Sequence, residues 1–334
     1  MVGYGKPHLT NLEQLALMKS RGLQCDSDER VIAFLNRVNY FRLSAYTYPF
    51  RELLPEENRL LDSPVHFRAD HFRSGTNWAD IESLVAFDSQ LRALIFAGLE
   101  TIEIALRTSV AYHLGAVNPY SHLDRKYLDH AKCGQTEGWM ETGSDRYQLW
   151  RQKYESQQKS ARKEDFIVHH SIKYGPELPI WKSVEFMDFG SVVSLIGLMR
   201  GKQRNGIANN FGVHNGWTFF EWMKTLNYLR NLAAHHGRVW NRTLTIRLKM
   251  ISEHKAAPEL AHAISDFKNA KIYGHLAVTA SLISRIDPTS EWHLHVRELV
   301  LAFPRIEGMS PQTDMGFPDF WESFLLWSRI PALM

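Results

Sequence analysis

The sequence predicts a mainly α-helical protein, and three observations carry that prediction. Apolar residues recur at three- and four-residue spacing from Trp78 to about Leu114, through Ile81, Leu84, Phe87, Leu91, Leu94, Ile95, Leu99, Ile102, Leu106 and Val110. That spacing lays one apolar stripe along a long amphipathic helix, or along two joined with little break. Helix start and stop signals punctuate much of the remaining chain. Strand signals are scarce, and Leu244–Met250, with alternating Leu244, Ile246 and Leu248, is the best candidate strand.

Taken in order, the first helix covers Asn11 to Arg21. Thr10 and Glu13 have the spacing of a capping box, in which hydroxyl and carboxylate each satisfy an unpaired backbone N–H, and Gly22 follows as a stop. A second helix covers Asp28 to Val38, capped by Asp26 or Ser27, before an aromatic-rich stretch, residues 39–46, that runs into Pro49. Residues 51–77 mix charge with Pro55, Pro64 and Gly75 and read as a loop. After the long helix, residues 115–145 are Gly-containing and irregular. A basic, polar helix runs from Arg146 to Ile172, ended by Gly175, Pro176 and Pro179. Val184 to Leu198 is mostly apolar and reads as buried, and a further helix runs from about Trp217 to His236. The tail carries a helix from Pro258 through Ile286, another from Glu291 to Ala302, and a Pro- and Trp-containing end.

Composition narrows the class. A chain of 334 residues with 44% hydrophobic and 22% charged residues is an ordinary globular protein, which excludes extended disorder and collagen-like repeats. Two cysteines, Cys25 and Cys133, build neither a disulfide framework nor a four-cysteine zinc site. The strongest apolar run, Val192 to Met199, falls far short of the ~20 residues that span a bilayer. The opening residues 1–7 show no charged segment followed by an apolar one. The expectation is a cytoplasmic chain with no membrane partner.

Charge is unevenly spread. Between Arg200 and Met250, nine Lys and Arg residues face one carboxylate, Glu221, a net +8 over 51 residues that leaves −5 for the rest of a chain totalling +3. Such a window suits a phosphate-rich partner, although a charge cluster alone is as often a solvated face. Inside it lies Arg230-Asn231-Leu232-Ala233-Ala234-His235-His236-Gly237-Arg238-Val239-Trp240-Asn241-Arg242. Arg230 and His235 stand about 140° apart on an ideal helix. One phosphate can meet both only if the arginine wraps, the helix unwinds before Gly237, or a second chain completes the site.

Those residue types allow RNA cleavage without a metal. A histidine can take the ribose 2′-OH proton or give one to the leaving 5′ oxygen, and a guanidinium can grip the phosphate. Asn231 can orient the imidazole or donate to a phosphate oxygen. The blander reading makes Arg230 and Asn231 helix-packing residues and His235 and His236 an exposed helix end. Glu103 and Arg107, one turn apart on the long helix, read first as an ion pair. The sharper reading has Glu100 or Glu103 reach Arg230. Trp240, flanked by Arg238 and Arg242, is the tryptophan to test for base stacking, whereas Trp217 and Trp222 read as core. His169-His170 and His235-His236 are adjacent pairs whose side chains diverge by ~100°, a poor chelating geometry, so no metal site and no cofactor is expected.

The block from Arg230 to Arg242 resembles the signature of the Abi-like family of the AbiD/AbiF type, bacterial abortive-infection factors. Further blocks resemble that family: Lys6-Pro7-His8-Leu9-Thr10, Asn39 to Tyr46, Phe87-Asp88 with Glu100, Glu103 and Arg107, Pro179-Ile180-Trp181 with Phe189-Gly190, and Met315-Gly316-Phe317-Pro318 with Trp321. The family is considered part of the HEPN superfamily of helical bundles, many of them dimeric, metal-independent endoribonucleases. The resemblance implies a HEPN-type bundle with additional N- and C-terminal helices, and maps the Arg-x4–6-His motif onto Arg230 and His235 with Asn231 between them. It implies RNA-binding roles for His236, Arg238, Trp240, Asn241 and Arg242, and supporting roles for Glu100, Glu103 and Arg107. It further implies a homodimer, an RNA substrate, and a toxin-like activity held in check by a small RNA or protein. The alternatives are a HEPN module that binds RNA or protein without cutting, and a metal-dependent phosphohydrolase. The expected organisation is an N-terminal helical region over 1–77 packing on a core over 78–255, then a C-terminal extension over 256–334, or one domain throughout.

Overall fold

Local capping chemistry sets the first helices. The Thr10 hydroxyl accepts from the Glu13 amide and the Glu13 carboxylate from the Thr10 amide, so the predicted capping box opens α1 (Asn11–Ser20). Gly22 follows at φ +97°, where a residue without Cβ is unstrained. Ser27 caps α2 (Asp28–Leu35), and Asn39 caps α3 (Tyr40–Thr47) within the aromatic-rich stretch. The computed structural model describes residue 5 and residues 7–59, 67–136, 143–248, 258–264 and 270–328. Among these are fourteen α-helices and one two-stranded sheet, a mainly α fold.

The sheet lies where the sequence reads as loop. β1 (Arg51–Leu53) pairs antiparallel with β2 (Arg68–Phe72). Arg51 pairs with Asp70 at 3.0 Å and His71 with Glu52 at 2.7 Å. Only Phe72 of the two strands is buried, so there is no apolar alternation to read.

The long apolar stripe folds as a single helix, α4 (Trp78–Gly115), of 38 residues. The chain divides into two compact units, Met1–Gln90 with Ala302–Ser310 and Leu91–Leu301 with Pro311–Met334, and the boundary crosses α4. In the first unit Leu15, Met18, Val31, Phe34, Leu43, Phe50, Trp78, Ile81 and Leu84 form the core. Tyr46 donates its hydroxyl to the buried Asp88 carboxylate at 2.5 Å, solvating that charge internally.

The second unit contains α5 (His130–Cys133), α6 (Arg146–Ser160), α7 (Asp165–Tyr174), α8 (Ile180–Phe186), α9 (Phe189–Leu198), α10 (Gly201–Asn210), α11 (Gly216–Ala234), α12 (Ala261–Ile264), α13 (Tyr273–Ile286) and α14 (Trp292–Leu301). Nearly every residue of α9 and α13 is buried, and α11 buries Phe219, Met223, Leu226, Leu229 and Ala233. Glu103 and Arg107 of α4 and Arg230 of α11 all lie within this unit.

Several expectations are corrected. The helix read from Arg146 to Ile172 breaks at residues 161–164, where the Glu164 amide turns back to the Ala161 carbonyl within an exposed charged run and no Gly or Pro marks the stop. Helix α10 has no signal in the sequence, because only Ile207 and Ala208 of its ten residues are buried and no apolar period is visible. Residues 244–248 form no strand: Leu244 and Leu248 are buried with three exposed residues between them, and the Leu244 amide bonds to Ala270. Met250 lies outside the described residues. The helix read from Pro258 through Ile286 is a 3-10 turn, then α12 and α13, with 265–269 outside the described residues. Among the described residues no helix is long and apolar enough to cross a membrane.

Candidate functional site

Helix α11 starts at Asn215, whose side chain accepts from the Trp217 and Thr218 amides, and it ends inside the Arg230–Arg242 block. Its last helical residue is Ala234, and His235 is the C-cap. The His236 amide bonds back to Ala233 at 3.0 Å and the Gly237 amide to Leu232 at 2.8 Å, the paired bonds of a Schellman termination. The left-handed position in this turn is usually glycine, but here it is His236 at φ +57°. The glycine comes one residue later. A Cβ on Gly237 would lie 2.3 Å from Leu232 Cδ1, so close approach, rather than a positive φ, requires it there. The turn leaves His235 and His236 both exposed, with no side-chain partner for either among the described residues.

Arg230 sits one and a half turns earlier, against α4. Its Nε lies 3.5 Å from Glu103 Oε2, its guanidinium 5.6 Å from the centre of the Phe96 ring, and its Nη1 donates to Asn231 Oδ1 at 3.4 Å. Glu103 is 7% exposed, a carboxylate whose burial would be costly without compensating charge. Arg107 supplies most of that compensation, donating to Glu103 Oε1 at 2.6 Å and to the Met187 carbonyl at 2.9 Å. The second oxygen faces Arg230 more loosely, which fixes the arginine's direction while leaving donors free. Glu100 is exposed and makes no such link.

The structure therefore brings together Arg230, Asn231, Glu103 and Arg107, but it does not join His235 to Arg230. No hydrogen bond or ion pair connects those two side chains among the described residues, and the Asn231 oxygen is turned to Arg230 rather than to the imidazole. The helix does unwind before Gly237, one of the three routes to a shared phosphate, without closing the pair.

The rest of the block anchors the turn. Val239 and Trp240 are both fully buried, which corrects the expectation of base stacking by Trp240: its ring has no exposed face to offer. Asn241 is half-buried, and its backbone carbonyl accepts from Lys271 at 3.5 Å. Lys271 stands outside the basic window and no local signal marks it. Its ammonium is held below the usual lysine range by burial, an effect that Asp314 opposes and the Arg238 charge adds to. Arg238 and Arg242 are half-buried and Arg247 is exposed.

The +8 window is not one patch. Arg200 donates to the carbonyls of Lys126 and Leu128. Arg204 bonds to Met199 and lies over the Trp217 ring, and Lys224 pairs with Glu221. These charges serve the N-terminal half of α11 and the elements packed there.

The remaining histidines fall into distinct environments. Burial pushes the imidazole of His122 down to about 3 and those of His262 and His275 down to about 4, so all three are neutral at pH 7. His170 is buried, its ring bonded to the Glu177 carbonyl and to Lys182, whereas His169 is exposed. Among the described residues no group of three or more His, Cys, Asp or Glu side chains is placed to hold a metal ion.

A family described as Abi-like protein matches residues 33–241, a span that includes Glu103, Arg107 and the block as far as Asn241. The resembling segments near the N-terminus and around Trp321 lie outside it. No curated protein and no solved structure matches the chain. With well over half of its length matched, the chain belongs to the Abi-like protein family.

Proposed function

We propose that this protein acts in abortive infection, a defence against phage, as a metal-independent HEPN-type endoribonuclease. The observation that carries this reading is the end of α11: Arg230 is braced by a buried carboxylate and His235 stands exposed five residues on, beside the exposed His236. The His235 imidazole takes the proton of a ribose 2′-OH, and the 2′ oxygen attacks phosphorus. The bond to the 5′ oxygen breaks and that oxygen takes up a proton, leaving a 2′,3′-cyclic phosphate and a 5′-OH. Arg230, aimed by Glu103, offsets the charge that grows on the phosphoryl oxygens.

In this reading the working site is composite and a second copy contributes, in keeping with the lack of any side-chain contact between Arg230 and His235 among the described residues. The surface available for that copy is the outer face of α4 beside Arg230. There Phe96 and Ile104 are 40% and 57% exposed, about 80° apart around the helix, near the exposed Ala97 and Glu100. The same separation favours a second reading, a module that holds RNA without cutting it. Purified protein incubated with single-stranded RNA in excess EDTA, alongside His235→Ala and Arg230→Ala, tests both. Cleavage lost in both variants supports the enzyme, and binding without cleavage favours the module.

A further inference from the structure

The strip of α11 that separates Arg230 from His235 carries an asparagine that the proposed chemistry leaves unused. At about 100° per residue, Asn227 lies about 60° round the helix from Arg230 and about 80° from His235, inside the gap between them. Asn231 and Ala234 fall in the same gap, and the small alanine keeps the strip shallow. Along the axis Asn227 stands three residues before Arg230, a rise of about 4.5 Å. A nucleotide whose phosphate sits at Arg230 is therefore within reach of it.

The fold frames this amide without pairing it. Gly190, in the first turn of α9, packs against it: a Cβ there would lie 3.3 Å from Asn227 Nδ2 and 3.6 Å from its Oδ1, so the glycine lets the backbone close on the side chain. Arg107, which binds Glu103, also holds the Met187 carbonyl just before that turn. Residues 187–190, Glu103 and Arg107 of α4, and Asn227 and Arg230 of α11 thus belong to one neighbourhood. The Asp188 carboxylate is engaged elsewhere, by Lys153 at 2.8 Å and by the Ser191 amide at 2.7 Å. Asn227 is half-buried, yet its side chain makes no hydrogen bond to any described residue. In mid-helix asparagine is a poor choice, because its amide competes with the backbone for hydrogen bonds. Alanine would serve α11 better, and the helix itself gives no reason for the amide.

A carboxamide presents a donor and an acceptor side by side, whereas a phosphate offers acceptors alone. Its matched partner is the edge of an unpaired base, which carries both. We infer that Asn227 reads the base of the nucleotide whose phosphate Arg230 holds, a specificity-determining contact that rests on the RNA-cleavage reading above. Arg230 then supplies a grip common to every sequence, and Asn227 the discrimination between them.

The test uses the whole chain carrying His235→Ala, which keeps RNA intact and reads binding apart from cleavage. Oligoadenylate, oligouridylate and oligocytidylate of equal length are titrated into this protein with and without Asn227→Ala, and the cut sites of a mixed-sequence RNA are mapped with His235 restored. Asn227→Ala should melt no lower than its parent, since alanine is the better helix former. It should weaken the best-bound oligonucleotide about three- to ten-fold and leave the others within about two-fold. Asn227→Asp, which keeps the shape and loses the donor, should not restore the preference. An equal loss for all three oligonucleotides marks a phosphate contact and overturns base reading. Unchanged affinities, a lower melting temperature for Asn227→Ala, or no saturable binding up to about 1 mM overturn it as well. Binding that depends on Asn227 without any cutting sinks the cleavage reading alone, and cutting at sites indifferent to Asn227→Ala sinks this contact alone.

Discussion

Glu103 of α4 and Arg230 of α11 face each other at 3.5 Å, while the other oxygen of the same carboxylate is held at 2.6 Å by Arg107. One buried acid thus couples two helices and sets the direction of the arginine assigned to phosphate. Replacing it by Glu103→Gln keeps the shape and removes the charge, leaving two guanidiniums side by side. The arginines are 23% and 29% exposed, so the stability loss should be about 1–3 kcal/mol, below the ~3–5 kcal/mol of a fully buried pair. Turnover should fall roughly 10- to 100-fold as Arg230 loses its alignment. Urea denaturation and cleavage rates measure the two effects, and unchanged turnover in a folded Glu103→Gln protein would show that the carboxylate does not position Arg230.

The end of α11 makes an opposed pair of predictions. His236 holds a left-handed conformation that costs an L-residue roughly 1–2 kcal/mol. His236→Gly should therefore raise stability, by about 0.5–1 kcal/mol once the added freedom of the unfolded chain is set against it. Gly237→Ala should lower stability, because its methyl group would meet Leu232. If His236 also touches RNA, the more stable glycine variant binds RNA less tightly. Thermal melts with an RNA-binding titration read both, and a destabilised His236→Gly would contradict the strain.

Trp240 is a core residue by burial. Trp240→Phe should cost about 1–3 kcal/mol through the cavity it opens while leaving the RNA affinity of the folded fraction unchanged. A loss of affinity without a loss of stability would restore it as an RNA contact.

Acid should unfold the protein through its buried imidazoles. His122 and His275 are lowered from 6.5 to about 3 and about 4, and both are fully buried. Below 6.5 the unfolded chain binds protons that the folded chain refuses. Their stabilising contribution is therefore complete above 6.5 and is lost as pH falls from 6.5 toward 4 and then 3. The slope for each is at most ~1.4 kcal/mol per pH unit. The urea midpoint should fall between near pH 7 and near pH 5, and a midpoint independent of pH over that interval would contradict this burial.

What could be read in advance follows from how locally each feature is encoded. The capping box at Thr10 and the stripe along α4 depend on spacing within one element, and both are found as expected. The Glu103–Arg107 pair is also local, one turn apart. The Glu103–Arg230 link needs α4 to lie on α11; the sequence offers Glu100 or Glu103 as the partner of Arg230, and only the packing of the two helices selects Glu103. The arginines that flank Trp240 suggest a surface position, whereas its burial is set by what packs from elsewhere in the chain. The basic window likewise summed charges that the fold distributes, and it missed Lys271, which reaches Asn241 across thirty residues of sequence.

The central claim is that the 2′-OH of the RNA itself attacks, with His235 moving the proton. The most direct measurement is end-group analysis of RNA incubated with the protein in excess EDTA, comparing an all-ribose oligonucleotide with one carrying a single 2′-deoxy residue at the cleaved position. The account predicts 2′,3′-cyclic phosphate and 5′-OH ends from the first, no cut at the substituted linkage in the second, and neither product from His235→Ala. Cleavage at the deoxy position, or 5′-phosphate ends, would contradict it.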